Sequence, residues 1–330
     1  MQILPDLSQY RRDLIASGAP SNLPLVPHRS AGLLSELPPP PPDRHGWPWN
    51  VETAPQTQTN ICPLITIVIP SFQQGIYLEE AIRSVLLQNY PKLQCVIMDG
   101  GATDGSANII ERYRPWLSFA RCAPDRGQSH AINLGFSITS GEIRGWLNSD
   151  DYYLPGALYR VAEAALNRGN FFYGDSLELN QATSSLRHVF AGYACYRYAS
   201  FPGLIPSHGA FWRDAIHQPV WEEQHCAMDY ELWIRLLRGT EVIHIPHPIG
   251  VLRVHAETKS ASNVYQERWQ EDAQRNGLAH PGLYTRKPWL QREFRLIQRW
   301  VRKLRSRGEA KKLHLLERQC GWSTHIKPSM

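Results

Sequence analysis

Four consecutive polar residues, Asn148, Ser149, Asp150 and Asp151, end a short run, 143–147, that follows a turn glycine, Gly141. The run reads as a buried strand that delivers an amide, a hydroxyl and two carboxylates to its carboxyl end. In open α/β sheets ligands gather outside that edge, and hard oxygen donors there suit a divalent cation such as Mg2+ or Mn2+, with a phosphate completing the shell. The competing reading is an Asx turn that caps a helix beginning near Pro155.

A site of this kind needs a sheet to hold it, and the chain upstream supplies the pattern. Residues 64–69, 95–98 and 119–122 read as strands, and 77–88, 106–113 and 129–138 as helices with apolar residues at helical spacing. Four such units, the last ending in Asp150 and Asp151, predict a doubly wound, mainly parallel α/β sheet with helices on both faces. Parallel strands share one carboxyl edge, so Pro70-Ser71-Phe72, Asp99-Gly100-Gly101, Asp125-Arg126-Gly127-Gln128 and the 148–151 cluster are expected along it. That set has the character of a nucleotide site. A carboxylate such as Asp99 can accept from a base or ribose, glycine lets the backbone approach a ligand, and a cation at Asp150 can neutralise a diphosphate. Asp104-Gly105-Ser106 reads instead as a turn and helix cap.

The segments IVIPSFQQGIYLEEAIRSVLLQNYP, MDGGATDGSANII, APDRGQSHAINLGF and GEIRGWLNSDDYYLPGAL, in this order, resemble the nucleotide-sugar-binding domain of family 2 glycosyltransferases, which have the GT-A fold. The likeness spans about residues 65–255. It implies that Pro70, Ser71 and Phe72 line the nucleotide pocket, that Asp99 contacts the base, and that Gly100, Asp125, Gln128 and Asn133 belong to the same donor site. Asn148-Ser149-Asp150 then corresponds to the metal and diphosphate triplet, departing from the usual pattern at Asn148, where many relatives carry aspartate.

Farther on, SHGAFWRDAI and AMDYELWIRLL are also similar to the family and imply that Asp229 is the catalytic base. Glu231 is the alternative base, and the competing role for Asp229 is a favourable interaction with a helix dipole. His255, after the last core strand, is implied as a further metal ligand, against the reading of a histidine satisfied within the structure. Asp151 and His208 are placed beside the acceptor. The implied activity is inverting transfer of a sugar from a nucleoside-diphosphate sugar to a hydroxyl of a glycan or lipid-linked acceptor, assisted by Mn2+ or Mg2+.

Three other classes fit less well. A processive polysaccharide synthase carries spanning helices and a QxxRW motif, whereas Arg299-Trp300 is preceded by Leu296 at the glutamine position. A nucleotidyltransferase needs a basic glycine-rich loop after the first strand, and PSFQQG has no lysine or arginine. A non-catalytic sugar-nucleotide-binding protein stays open and is separated by donor turnover.

The flanks differ from this domain, taken as 61–256 with a nucleotide-sugar half at 61–151 and an acceptor half at 152–256. Residues 1–60, with prolines throughout 38–42, Trp47-Pro48-Trp49 and a Thr/Gln-rich stretch at 53–60, are expected to lie extended with their tryptophans tacked onto the domain surface. An SH3-type ligand is the alternative use of the prolines. Residues 257–330 are expected to be helical and basic: 286–318 hold twelve Lys/Arg against three Glu, so the +5 net charge of the whole chain belongs to this tail.

Leu290, Phe294, Ile297, Val301 and Leu304 recur there at helical spacing, with arginines on other sides of the helix. Two readings follow: a helix bound to an anionic membrane surface, or one packed on the domain. No basic and aromatic interleaving or reader motif points to nucleic acid. Six scattered cysteines without CxxC spacing suit reduced thiols, and no signal sequence or spanning run is visible. The expected location is the cytoplasm, peripheral at the inner face of the membrane.

Overall fold

The β-branched run after Leu64 does form a strand buried on both faces, β1 (Ile65–Ser71). In the computed structural model, which describes residues 2–56, 62–199, 201, 204–259, 262–284, 288–306, 308–322 and 326–327, it lies at the centre of the parallel part of the sheet. Chain order gives α1 (Leu7–Ala16), β1, α2 (Gly75–Leu86), β2 (Leu93–Asp99), α3 (Ser106–Tyr113), β3 (Phe119–Cys122), α4 (Gln128–Ile138) and β4 (Ile143–Trp146). Then come β5 (Tyr152–Tyr153), α5 (Ala157–Ala164), β6 (Phe171–Asn180), β7 (Ser185–Val189), β8 (Ala210–Arg213), α6 (Met228–Leu236) and β9 (Val242–Val254). The chain closes with α7 (Gln266–Ala279), α8 (Pro281–Tyr284), α9 (Pro288–Arg305), α10 (Glu309–Cys320) and β10 (Ile326–Lys327).

Two cores explain why β1 reads as a continuous apolar run. Ile65, Ile67 and Ile69 join Leu78, Ile82 and Ile110 on one face, while Val68 joins Ile132 and Phe136 on the other. β3, β2, β1 and β4 are all parallel, so the expected α/β sheet with helices on both faces is present in this half. Beyond β4 the sheet becomes mixed. β8 is antiparallel to β4 and β6, β7 is antiparallel to β6, and β9 runs parallel to β6 and antiparallel to β5.

Pro70 sits in this central strand just past the end of its pairing with β4. Residues 68 and 70 turn their backbone groups to the same side, and Val68 O accepts the amide of Leu147 at 2.9 Å, just after the last β1–β4 pair, Val68↔Trp146. By Pro70 the pairing with β4 has ended, so a residue without an N–H is accommodated there.

Several expectations need correcting. Pro246 and Pro248 are residues that ordinarily break a strand, but β9 runs through both as one strand of 13 residues. Register shifts opposite Gly174, Asp175 and Ser176 absorb the prolines as a bulge. The preface is not simply extended either. Asp6 caps α1 by accepting the Ser8 amide at 2.8 Å, and Tyr10 and Leu14 pack with Val96, Met98 and α4.

The tryptophans are buried rather than tacked on: Trp47 is 1% exposed and its Nε1 donates to Tyr153 O at 2.6 Å. Buried Arg83 donates to the carbonyls of Pro38, Pro48 and Trp49 at 2.7–2.9 Å, supplying the donors that a proline-rich chain lacks. Residues 57–60 of the Thr/Gln-rich stretch, and 286, 287 and 307 of the basic tail, lie outside the described residues.

The tail packs on the domain. Leu290, Phe294 and Ile297 of α9 lie against the second core, with the Phe294 ring stacked on Phe201 at 4.1 Å. Glu293 accepts from Arg197 and Tyr198. Most of the apolar stripe expected to meet lipid is therefore occupied by protein. A different stripe is left facing out: Trp289, Leu296 and Trp300, each more than half exposed. α10 returns to the first core through Leu313, Leu316 and Cys320. Among the described residues no helix is long and apolar enough to cross a membrane.

Candidate active site

Register places the strand ends together. Ser71 of β1 pairs with Asp99 of β2, and Asp99 with Cys122 of β3. Asp99 Oδ1 accepts the amides of Gly101 and Ala102 at 3.0 and 2.8 Å, but its Oδ2 is buried without a partner, as is Ser71 Oγ. An unpaired buried polar atom costs about 1–3 kcal/mol, so two at adjacent strand ends point to a ligand that satisfies them. Gly100 keeps the pocket open, since a Cβ there would lie 3.1 Å from both Phe72 Cδ2 and Asp125 Oδ2. Phe72 is 60% exposed and offers a ring face, and Asp125 Oδ1 accepts the Gly127 amide at 2.7 Å.

The acidic cluster is braced from three directions. Gln128 Nε2 donates to Asn148 Oδ1 at 2.8 Å, Ser149 Oγ donates to Gln74 Oε1, and Asp150 Oδ2 lies 3.2 Å from His255 Nε2. The His255 ring packs against Tyr77 at 4.9 Å. Asp150 and His255, from distant points in the chain, thus meet as one oxygen and one nitrogen donor. No group of three His, Cys, Asp or Glu suited to a metal occurs among the described residues. A two-donor pair at a sheet edge fits Mg2+ or Mn2+ in a nucleotide site, where phosphate oxygens and water supply the other ligands.

Helix α6 brings Asp229 toward this edge. Its Trp233 stacks on Trp146 of β4 at 5.3 Å and 14°, and Trp212 packs edge-on against both, so the helix carrying Asp229 is seated on the strand carrying Asp150. Partly buried Asp229 is pushed up to about 6 by desolvation, against the amide of Tyr230 and the charge of Lys259. Glu231, the alternative base, is fully buried and committed. It accepts from Arg235 at 2.7 and 2.8 Å and from Gln2 at 2.7 Å, and it lies 3.1 Å from His280. Although burial alone would raise it, His280 and Arg235 hold it below the ordinary range. Of the two, Asp229 is suited to take a proton.

Three residues expected to meet ligand do not. Asn133 is fully buried: its Nδ2 donates to Val220 O at 2.8 Å and its Oδ1 accepts Val220 N at 2.8 Å, so it clamps the 220 loop and has no surface for a sugar nucleotide. Asp151 and His208 are 2% exposed each and lie beneath the site. His208 Nε2 is 2.6 Å from Ser176 Oγ, its Nδ1 is 3.6 Å from Asp151 Oδ2, and Asp151 Oδ1 accepts the Arg253 amide at 3.0 Å. They hold β9, and so His255, in register instead of contacting an acceptor.

Other groups were not foreseen. Fully buried Asp272 of α7 accepts three successive amides, His225, Cys226 and Ala227, at 2.9, 2.6 and 2.9 Å, fixing the loop that opens α6. Lys259 Nζ donates to Gln128 Oε1 at 2.7 Å and to His225 O at 2.9 Å. The sequence signals were a lone aspartate in a polar helix and a lone lysine in a loop, which are indistinguishable from solvated charges until the chain is folded.

Residues 66–212 match the family model described as glycosyl transferase family 2. An uncharacterized glycosyltransferase of Rickettsia felis is 27% identical over 227 residues, 62% of this chain and 37% of that protein. Another, alr2836 of Nostoc sp., is 33% identical over 108 residues, 30% of this chain and 32% of that one. The chain thus spans about a third of the length of these two relatives. Among solved structures, S. aureus TarS 1-349 in complex with UDP-GlcNAc superposes with a TM-score of 0.53 at 16% identity, covering 77% of each chain. The fold is GT-A-like.

Proposed function

We propose, from the premise that residues 66–212 belong to glycosyl transferase family 2, that this chain transfers a sugar from a nucleoside-diphosphate sugar to an acceptor hydroxyl with inversion. The observation that carries the reading is the pair of unpartnered buried atoms, Asp99 Oδ2 and Ser71 Oγ, on the edge where Asp150 and His255 meet. A nucleobase supplies N–H donors for Asp99, with Phe72 beside it, and the diphosphate extends toward Asn148, Ser149 and Asp150. The UDP-GlcNAc in the TarS complex supports this class of donor.

Asp229 is the general base. An acceptor hydroxyl has a pKa far above neutral, so it must lose its proton as its oxygen attacks the anomeric carbon and the bond to the diphosphate breaks. A carboxylate with a pKa of about 6 is ionised at neutral pH and basic enough to accept that proton. With Glu231 tied to Arg235, the reading needs one carboxylate and one displacement, which inverts the anomeric centre. Asp150 and His255 are the residues that would hold Mg2+ or Mn2+, which when bound acts as a Lewis acid on the departing diphosphate.

We place the acceptor at an anionic lipid surface, reached through α9. Trp289, Leu296 and Trp300 are exposed on one side of this helix, with exposed Arg292, Arg299 and Lys303 along the same stripe. The donor reading is tested by thermal shift of the full chain with UDP, GDP, dTDP and their sugar derivatives, with Mn2+ present. At least one should raise the melting temperature in a dose-dependent way, and a flat response across the panel overturns it.

A further inference from the structure

Lys259 lies four residues beyond His255, in the loop that leaves β9, and its ammonium is turned inward. Both its hydrogen-bond acceptors, Gln128 Oε1 and His225 O, are neutral. Gln128 in turn donates to Asn148, so Nζ stands one side chain away from the triplet at the end of β4. His225 belongs to the loop gripped by Asp272, which runs into Asp229. The cation therefore sits between the proposed diphosphate site and the base.

A partly buried ammonium with only neutral acceptors is poorly compensated, because dipoles offset the loss of water less well than a counter-charge does. Burial lowers the proton affinity of Lys259, and among the charges that raise it again is Asp150. One of the two carboxylates that act on Lys259, Asp150 beside Asp272, is thus the one proposed to face the diphosphate.

We propose that Lys259 is a diphosphate-binding residue, its Nζ contacting the phosphate oxygens of the donor and stabilising the charge that builds on them as the sugar departs. The assignment rests on the donor site proposed above and deepens it: the protein supplies its own cation to the leaving group, in addition to any held by Asp150 and His255. It also gives the residues after β9 a function, since they close the phosphate end of a pocket whose base end is built by β1 and β2.

A lysine that only pinned the His225 loop would show the same bonds, so the test separates charge from clamp. Lys259→Gln keeps an N–H donor for Gln128 or His225 but removes the charge, and Lys259→Arg keeps the charge. Calorimetric titration of the full chain, in Mn2+ and again in EDTA, compares uridine with UDP, guanosine with GDP and thymidine with dTDP. Wild type should bind one diphosphate more tightly than its nucleoside.

Lys259→Gln should weaken that diphosphate about tenfold or more, which is about 1.4 kcal/mol, with nucleoside affinity unchanged, and Lys259→Arg should recover most of the loss. Unchanged diphosphate affinity in Lys259→Gln, or a loss shared equally by nucleoside and diphosphate, overturns the assignment. If wild type itself prefers no diphosphate to its nucleoside, the donor reading fails first and this assignment with it.

Discussion

The two halves of the site are built in different ways. In the parallel half, Ser71, Asp99 and the 148–150 triplet stand at the ends of β1, β2 and β4, strands whose common direction brings their ends to one edge. Each residue is positioned by the ladder it terminates. In the mixed half the strands run both ways, and the groups that face the edge come from a helix start and a loop: Asp229 in the first turn of α6, Lys259 and His255 after β9. Neither a helix start nor a loop has a ladder, so buried side chains position them. Asp272 takes three amides ahead of Asp229, Trp233 seats its helix on Trp146, and Asp151 fixes the end of β9. Precision comes from topology in one half and from individual side chains in the other.

The comparison is tested hardest at Asp150. Asp150→Ala removes the carboxylate from a strand end without touching the ladder, so transfer should fall by more than about 10³-fold while the melting temperature stays near that of wild type. Transfer at the wild-type rate would break the metal and diphosphate reading. Asn148→Asp should leave activity intact or raise it.

Asp229→Asn comes next. Turnover should drop about 10²–10⁴-fold with donor affinity unchanged. In wild type the turnover number should fall about tenfold per pH unit below about 6, where the base is protonated, and level off above it. Stability has the opposite sign. Because its folded pKa is raised, Asp229 costs stability as pH rises from the ordinary carboxylate range through about 6. The asparagine variant should therefore melt no lower than wild type at pH 7.5. A variant that melts lower and also loses donor affinity shows a structural Asp229.

These contrasts also account for what could be read in advance. The strand and helix alternation from β1 to β4 was legible because strands buried on both faces are continuous apolar runs and parallel ends share an edge. Asp99 and the triplet followed from that. Asn133 did not, because a motif position says nothing of whether an amide faces ligand or, as here, the Val220 backbone. Asp151 was misplaced because adjacency to Asp150 in sequence carries no depth, and His208 because its motif does not show that the ring is turned inward to Ser176 and Asp151. α1 was missed because the prolines after it coloured the whole preface, although Asp6, Tyr10 and Leu14 carried a cap and an apolar face. Asp272 and Lys259 act across gaps of 34 residues or more, which no spacing rule reaches.

Asp272 sharpens the contrast at intermediate cost. Asp272→Ala leaves the amides of His225, Cys226 and Ala227 without their acceptor, and each buried unsatisfied donor costs about 1–3 kcal/mol, less where water enters. Tm should fall, and the turnover number should fall several-fold more than the affinity for nucleoside diphosphate, since the loop leads to the base and not to the base-binding strand ends. Equal loss of both would mean that the two halves are not mechanically distinct. Asp272→Asn, which keeps an acceptor oxygen, should recover part of each.

The smallest effect belongs to α9, whose one face is packed on the domain and whose outer face is the one proposed to meet lipid. Leu290, Phe294 and Ile297 pack on the second core, and Trp289, Leu296 and Trp300 face out beside Arg292, Arg299 and Lys303. A truncation would expose the core and confuse lost packing with lost binding, so the outer face must be changed alone. Leu296→Ala with Trp300→Ala removes only exposed apolar groups and spares Trp289, whose ring meets Arg197 of the domain, and Arg292, Arg299 and Lys303→Gln removes only charge. Neither should move Tm. On vesicles with anionic lipid each close cation is worth about 1 kcal/mol, and that attraction is screened by salt. Sedimentation of the intact chain should therefore require anionic lipid, weaken at high salt and decline in both variants, the glutamine variant losing the salt dependence as well. An intact chain that stays in the supernatant at low salt, or variants that sediment as wild type does, would leave α9 as a packing element whose arginines face water.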